Sequence, residues 1–143
     1  MKLEFTVIGE PAPAGSKRAF VIPGTNRASV TDANPKSRVW KQIVSQRAHD
    51  IYGDAPLLDG PLSVVFRFFE PRPKGHFKKD GSLSADGQRA NFPAKRPDVL
   101  KLSRGVEDAL SKVVWRDDAQ IVTELLEKRW GEPARVEITI ETL

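Results

Sequence analysis

Apolar and polar residues alternate near both ends of the chain, and this pattern predicts β-strands there. Leu3, Phe5 and Val7 alternate with polar neighbours, and residues 135–141 repeat the pattern near the C-terminus. A period of two is typical of a strand that buries one face and exposes the other. Both ends of the chain are therefore predicted to belong to a sheet.

Four interior segments also have strand character. Residues 62–69 are rich in β-branched and aromatic side chains, which favour strands. Residues 119–130 predict a strand, although their second half alone would also suit a helix. Short strands at residues 19–22 and 28–31 flank a Pro-Gly turn, an arrangement typical of a hairpin.

A first helix is predicted over Pro35–Tyr52. Proline suits a first helical turn, Asn34 or Asp32 can cap it, and Gly53 suits its end. Trp40, Val44 and Tyr52 are placed beside the buried stripe. The residues expected to face inward are Val39, Ile43, Ala48 and Ile51.

A second helix is predicted over residues 99–113, beginning after Asp98. The carboxylate of Asp98 is expected to cap this helix by accepting backbone N–H bonds. Gly105 lies in mid-helix, which indicates close packing. The predicted buried stripe consists of Val99, Leu102, Val106, Ala109, Leu110 and Val113. The opposite, polar face carries Lys101, Arg104, Glu107 and Asp108.

These elements predict one α+β domain over residues 1–143, with a mixed sheet and two main helices. Residues 71–95 between them lack any periodic pattern and carry six cations against two acids. A segment of this length without secondary structure is either functional or disordered. A mobile arm that orders on a phosphate backbone and a solvated insertion are equally consistent with it.

Composition limits the chemistry that the chain can perform. There are no cysteines, and the two histidines are isolated, so any catalytic metal must be held mainly by oxygen ligands. Oxygen ligands favour Mg²⁺, with Mn²⁺ as the alternative. The formal net charge of +4 fits a polyanionic partner. Because the chain contains neither a membrane-length apolar run nor a signal-peptide core, we expect a soluble, cytoplasmic protein.

Acidic residues at both ends of the second helix are the strongest candidates for a site. Asp98 precedes the helix, and Asp117 and Asp118 follow it, with several Lys and Arg residues between. Carboxylates that meet among cations suit an enzyme that holds a divalent ion against a phosphate. Taken singly, Asp98 can be a helix cap and the acidic pair a turn, so the residues alone leave the metal site open.

In these segments the sequence resembles the RusA family of Holliday-junction resolvases. The resemblance covers most of the chain and is carried by three segments in order: Arg96-Pro97-Asp98, Asp108-Ala109-Leu110 and Trp115-Arg116-Asp117-Asp118-Ala119-Gln120. The opening Gly9-Glu10-Pro11-Ala12-Pro13 and the following Lys17-Arg18 are also similar to the family. The resemblance implies a homodimeric, Mg²⁺-dependent endonuclease of α+β fold that acts on four-way DNA junctions and other branched DNA. Because the family is found in phages and prophages, it also implies a bacterial or phage-infected host cell.

The resemblance also implies roles for particular residues. Asp98 and Asp118 match metal-binding, catalytic aspartates, and Asp117 is the acidic neighbour that joins them in the metal site. Arg104 stands where the family places a catalytic lysine, which keeps the charge but changes the hydrogen-bonding geometry. The family pattern Pro-Asp-x-Asp-Asn-Leu is broken, because Leu100 replaces its second aspartate and Lys101 its asparagine.

Three explanations for Leu100 compete. In the first, Asp98, Asp117 and Asp118 suffice because Mg²⁺ keeps several waters. Alternatively another acid reaches in: Glu107 lies about 10 Å further along the helix at 1.5 Å per residue, too far for a simple replacement, whereas Glu124 can approach from the next strand. In the third explanation the protein binds branched DNA without cutting it.

The remaining surface suits DNA. Phe77 and Phe92 can either wedge against unstacked bases or be buried in a dimer interface. Trp40, Trp115 and Trp130 are assigned to the core or an interface. The cations predicted to contact phosphates are Lys17, Arg18, Arg72, Lys74, Lys78, Lys79, Lys95 and Arg96.

Three functions are therefore compared. The leading hypothesis is a structure-selective endonuclease that resolves Holliday junctions in recombination and repair. The alternative is a catalytically silent junction-binding protein of the same fold. The third is a single-strand or RNA-binding accessory protein of a phage.

Overall fold

The computed structural model describes residues 1–15, 17–32 and 34–143, except for the side chains of residues 17, 18 and 30–32. The elements in chain order are β1 (Lys2–Ile8), β2 (Lys17–Val21), β3 (Ala28–Asp32), α1 (Pro35–Tyr52), β4 (Leu62–Glu70), α2 (Ala85–Arg89), α3 (Val99–Leu110), β5 (Ile121–Trp130) and β6 (Arg135–Thr142).

Within the described residues, a mixed sheet contains four strands in the order β1-β6-β4-β5. Strand β6 pairs antiparallel with both β1 and β4, and β5 pairs parallel with β4. Strands β2 and β3 form a separate antiparallel hairpin. The predicted α+β fold with a mixed sheet is therefore confirmed, as are its strands. Residues 118–120, however, form a 3₁₀ turn, so β5 starts later than predicted.

One face of the sheet and both long helices share a single hydrophobic core. Alternate residues of β4, from Leu62 to Phe68, are buried, as the strand pattern predicts. The burial of Val136, Ile138 and Ile140 on the neighbouring β6 continues this face. The core therefore lies between the sheet and the helix layer, which fixes where the ends of α3 emerge.

Helix α1 has the predicted bounds but a different buried face. Asn34 caps it, with Oδ1 accepting from Lys36 N at 3.0 Å. The expectation that Val39 and Ile43 face inward is wrong, because they are 57% and 39% exposed, and Ile51 is exposed as well. Ala48 is buried as predicted. The other buried residues are Ser37, Trp40 and Val44. Apolar side chains occur on more than one face of α1, so packing against the sheet and α3 selects the buried one.

Helix α3 ends at Leu110, three residues before the predicted end. The chain reverses at Lys112, whose φ of 66° lies in the left-handed region. The close packing predicted at Gly105 is present: a Cβ there would lie 3.3 Å from the Ala12 carbonyl oxygen. Asp98 occupies the N-cap position, but its side chain makes no capping hydrogen bond, so that expectation is wrong.

Residues 71–95 contain a 3₁₀ turn at Lys74–His76 and the short helix α2, neither of which the sequence pattern predicts. Arg72 joins them to the following chain, since its Nη1 donates to the carbonyls of Gly87 at 2.8 Å and Ala90 at 3.1 Å. Side-chain hydrogen bonds rather than apolar periodicity therefore organise this segment. No helix in the described ranges combines the length and apolar character needed to cross a membrane.

Candidate functional site

Asp118 is held in a defined position by the core. Trp115 is fully buried, and its Nε1 donates to Asp118 Oδ1 at 2.8 Å. The indole thus orients one carboxylate oxygen from beneath and leaves the other free of that contact. Trp115 belongs to the core, as the sequence indicated, but its contact with Asp118 is a finding of the structure alone.

The turn that carries Asp117 is fastened to a distant segment through Gln120. Gln120 Oε1 accepts from the backbone N–H groups of Arg116 at 2.9 Å and Asp117 at 3.0 Å. Its Nε2 donates to the carbonyls of Leu58 at 2.9 Å and Gly60 at 3.0 Å. Asp117 Oδ1 is used inside the turn, where it accepts from Ala119 N at 2.8 Å. Asp117 is therefore a structural cap in this arrangement.

Asp98 lies at the other end of α3 and faces solvent. Its side chain is 64% exposed, and Lys101 Nζ lies 3.9 Å from its Oδ2. Lys128 of β5 fixes the approach to this position, because its Nζ donates to the carbonyls of Lys95 at 2.6 Å and Pro97 at 3.0 Å. Arg104 is exposed on the same helix. The backbone around Asp98 is thus anchored while its carboxylate remains open to a ligand.

Two glutamates meet where α3 crosses β5. Ser103 Oγ is buried and lies 2.6 Å from Glu124 Oε1 and 3.4 Å from Glu107 Oε1. Burial, a hydrogen bond with the Glu124 carboxyl, the charge of Glu124 and that of Asp118 raise the pKa of Glu107 from 4.5 to about 8. At neutral pH the carboxyl of Glu107 is therefore expected to keep its proton.

In the structure Glu107 interacts with both Glu124 and Asp118, whereas Asp98 pairs with Lys101. The sequence suggests Glu124 as a further donor but gives no reason to pair it with Glu107, since 16 residues separate the two. The sequence features that point to this pair are a glutamate on the polar face of the helix and another glutamate in the next strand.

The side chains in this region are of the type that binds a divalent ion, but too few of them are grouped together to surround one. All nearby donors are carboxylate oxygens, which hard cations prefer. Within the described chain, however, no group of three or more Asp, Glu, His or Cys side chains is placed to hold a metal. Leu100, at the position of the missing aspartate, is 66% exposed and supplies no ligand. The residues therefore suit an ion bound by one or two carboxylates, with water and phosphate completing its coordination.

The predicted phosphate-binding cations differ in their surroundings. Arg72 is half-buried and bound to backbone carbonyls, which leaves it less available than the others. The side chains of Lys17 and Arg18 lie outside the described part of the structure. The cations exposed to solvent are Lys74, Lys78, Lys79, Lys95 and Arg96.

Comparison with known proteins gives a family assignment that agrees with this geometry. The sequence matches the family described as endodeoxyribonuclease RusA over residues 10–141. It is also 31% identical over 140 residues to the uncharacterized protein YqaN of Bacillus subtilis (strain 168), covering 96% of this chain and 94% of that protein. The family match contains both ends of α3, the acidic turn after it and the whole of β5. The chain therefore belongs to the RusA endodeoxyribonuclease family.

Proposed function

We propose that this chain is a structure-selective DNA endonuclease that resolves Holliday junctions and other branched DNA in recombination and repair. The observation that carries the proposal is the family match over residues 10–141. The segments on either side of α3 carry an anchored, solvent-facing Asp98 and an Asp118 that Trp115 orients. Residues 1–143 act as a single RusA-like domain in this proposal.

The reaction is divalent-metal-dependent hydrolysis of a phosphodiester, with Mg²⁺ as the ion and Mn²⁺ as a substitute. Asp98 and Asp118 are the proposed ligands, and Asp117 is the proposed acidic neighbour in the same metal site. Magnesium is commonly bound by only one or two carboxylates together with water and substrate phosphate, so Leu100 does not preclude binding. The ion supplies Lewis-acid activation of the scissile phosphate.

Arg104 is the proposed cation for the anionic transition state. It is exposed on the α3 surface that carries Lys101, and a guanidinium can donate two parallel hydrogen bonds to phosphate oxygens. Its charge is permanent at physiological pH, so it can stabilise developing negative charge without a proton transfer. Arg104→Lys would keep that charge and lose the bidentate geometry.

The active form in this proposal is a homodimer. A two-fold dimer presents two equivalent acidic sites, which suits a junction of approximate two-fold symmetry and cleavage of symmetrically related strands. The exposed cations of residues 74–96 would hold the arms through phosphate contacts that carry little sequence information.

Asp118→Asn and Asp98→Asn test the nuclease proposal. Asparagine retains an oxygen that can accept from Trp115 Nε1, so the fold should persist while the negative charge is lost. Removing several kcal/mol of transition-state stabilisation corresponds to a loss of at least about 100-fold in cleavage rate. Nicking of a four-way junction is measured with Mg²⁺, with Mn²⁺ and with a chelator, alongside junction binding in chelator.

Asp50→Asn is the matched control, because Asp50 is an exposed carboxylate on α1 that accepts a hydrogen bond from Gln46 at 2.9 Å. This variant should cleave as the parent does. Parent-like cleavage by Asp98→Asn and Asp118→Asn would refute the proposed roles.

A catalytically silent junction-binding protein is the second candidate. Exposed Leu100, together with the absence of a three-ligand metal group from the described residues, favours it. Because Leu100 is outside the core, Leu100→Asp should leave the fold intact. This hypothesis predicts that the parent binds junctions without cutting them. It also predicts that the Leu100→Asp variant cuts them with Mg²⁺.

A further inference from the structure

A cleft of about 540 Å³ lies between the end of β5 and the segment that leads to Asp98. Its volume falls within the range of small-ligand sites. The side chains that give it chemical character are His76, Arg89, Asn91, Phe92, Lys95 and Trp130. Most of them belong to residues 71–95, the segment without apolar periodicity.

Trp130 forms a fixed wall of this cleft. Its Nε1 donates to the carbonyl of Ala90 at 2.9 Å, and the ring of His76 meets it edge-on at 5.3 Å between centroids. Arg72 Cζ and Lys95 Nζ lie 5.5 and 5.6 Å from the indole centroid. These contacts hold the indole in one orientation, so the wall exists before any ligand arrives.

Phe92 is the open aromatic surface of the cleft. Its side chain is 65% exposed, although a phenylalanine gains substantial free energy from burial. Phe77, from the same segment, differs in position: it forms a β-bridge with Leu83 and does not line the cleft. Exposure of a phenyl ring beside a rigid indole provides a stacking surface for a planar ligand.

The positive charge of the cleft favours a planar ligand that carries negative charge. Arg89 and Lys95 contribute cations, Asn91 contributes an amide, and none of the residues that line the cleft is acidic. Arg89 also pairs with Asp86, but both side chains are exposed and surface pairs of this kind exchange easily. Aromatic rings combined with cations bind single-stranded nucleic acid, whose bases stack and whose phosphates pair with the cations.

We propose that the cleft binds one unpaired nucleotide of the DNA substrate. Its base stacks on Phe92 against the Trp130 wall, and its phosphate contacts Lys95 and Arg89. The inference rests on the proposed function, to which it adds a recognition subsite for an unstacked base beside the scissile strand.

The connection to Asp98 explains why this subsite would matter for cleavage. Lys95 precedes Asp98 by three residues, so their Cα atoms are at most roughly 11 Å apart. Lys128 binds the carbonyls of Lys95 and Pro97, which fixes this segment against β5. A nucleotide in the cleft would therefore place a nearby phosphodiester at Asp98. In fully paired DNA the bases remain stacked, so none could enter the cleft.

The experiment is a scan of abasic sites through the positions that flank the branch point of a four-way junction. Binding is measured by fluorescence anisotropy in chelator, so no cleavage occurs. For the parent, one position should be sensitive, and loss of its base should weaken binding by between about 5-fold and 150-fold, the range for one stacked base. Phe92→Ala should weaken binding to the intact junction by a similar factor and remove the sensitivity to that abasic site.

Phe77→Ala is the matched control and should reproduce the parent's abasic profile, since Phe77 lies outside the cleft. A flat profile for the parent overturns the inference. An unchanged profile for Phe92→Ala overturns it as well. So does a Phe92→Ala variant whose oligomeric state changes in sedimentation while its sensitivity to the abasic site remains.

Cleavage is scored separately with Mg²⁺, so the two proposals can fail independently. A junction that is never cut but shows the Phe92-dependent profile overturns the nuclease proposal alone. A junction that is cut and shows a flat profile overturns the nucleotide subsite alone.

Discussion

At the residue scale, the contact between Glu107 and Glu124 is the most consequential departure from the helical pattern. That pattern places Glu107 on a solvated face, yet Ser103 and Glu124 meet it where α3 crosses β5. Ionising Glu107 beside the hydrogen-bonded carboxylate of Glu124 costs free energy through charge repulsion. The charge of Asp118 adds to this repulsion. The pair thus makes the region next to Asp118 sensitive to protonation.

Glu107→Gln is predicted to change how stability depends on pH. The pKa of Glu107 is raised from 4.5 to about 8, so the folded protein binds the proton more tightly than the unfolded chain. Stability from this group is therefore fully present below about pH 4.5 and is lost as pH rises towards 8. Because the carboxyl is only half-buried, solvent screening reduces the effect to about 1 kcal/mol, or about 4 °C in Tm.

Thermal melts at pH 5.5 and pH 8 check this prediction. The parent should melt at a lower temperature at pH 8, and Glu107→Gln should lose most of that difference. Glu141→Gln, an exposed carboxylate in β6, should keep it. The same pH difference in the parent and in Glu107→Gln would contradict the raised pKa of Glu107.

At the element scale, residues 71–95 form a small ordered unit without apolar periodicity. The short helix α2 and the turn at Lys74–His76 are connected by hydrogen bonds, among them Ser84 N to the carbonyl of His76 at 2.8 Å. Arg72 and Trp130 then join the unit to the body of the protein through the carbonyl of Ala90. These contacts give residues 71–95 a defined local structure, which the sequence pattern does not predict.

Gly87→Ala is predicted to disrupt this unit. A Cβ at position 87 would overlap the carbonyl oxygen of His76 and lie 3.1 Å from its Cα, so α2 and the turn must separate. Overpacking of this kind costs about 1–3 kcal/mol. Amide hydrogen exchange should show lost protection in residues 71–95, with little change in β4 and β6.

Gly75→Ala is the control from the same unit, since nothing lies within 4 Å of a Cβ there. It should leave exchange unchanged. Equal protection in both variants would mean that the contact between Gly87 and His76 does not hold the unit together.

At the scale of the whole molecule, charge governs the encounter with DNA. The net charge of +4 includes exposed lysines of residues 74–95, which lie beside the segment that leads to Asp98. Phosphate contacts release condensed counterions, so binding should weaken steeply as salt increases. Such contacts raise affinity for DNA of any sequence, whereas selection of a branch must come from shape and unpaired bases.

Lys78→Gln and Lys79→Gln are predicted to reduce the salt dependence of junction binding. Each lost phosphate contact should lower the slope of log affinity against log salt by about 0.9. Lys2→Gln is the control, because Lys2 lies in β1 and pairs with Glu4 at 3.3 Å. Titrations at several salt concentrations measure the slopes, and a double variant with the parent's slope would exclude these lysines from the interface.

Local sequence signals were sufficient to predict the strands and the two long helices, and to place Asp98 at the start of α3. Period-two alternation, the proline and glycine at the ends of α1 and the apolar stripe of α3 are local signals, because neighbouring residues set backbone preference. The sequence also determined the family, since the aspartates and their neighbours form short continuous motifs.

Only the tertiary structure decided which side chains meet. Val39 and Val44 are equally apolar, but only Val44 is buried in the core between α1, the sheet and α3. Likewise, Trp115 orients Asp118, while Ser103 joins Glu107 to Glu124 across two elements. Such contacts depend on the packing of separate elements against a common core, and apolar periodicity within one element carries no information about its neighbour.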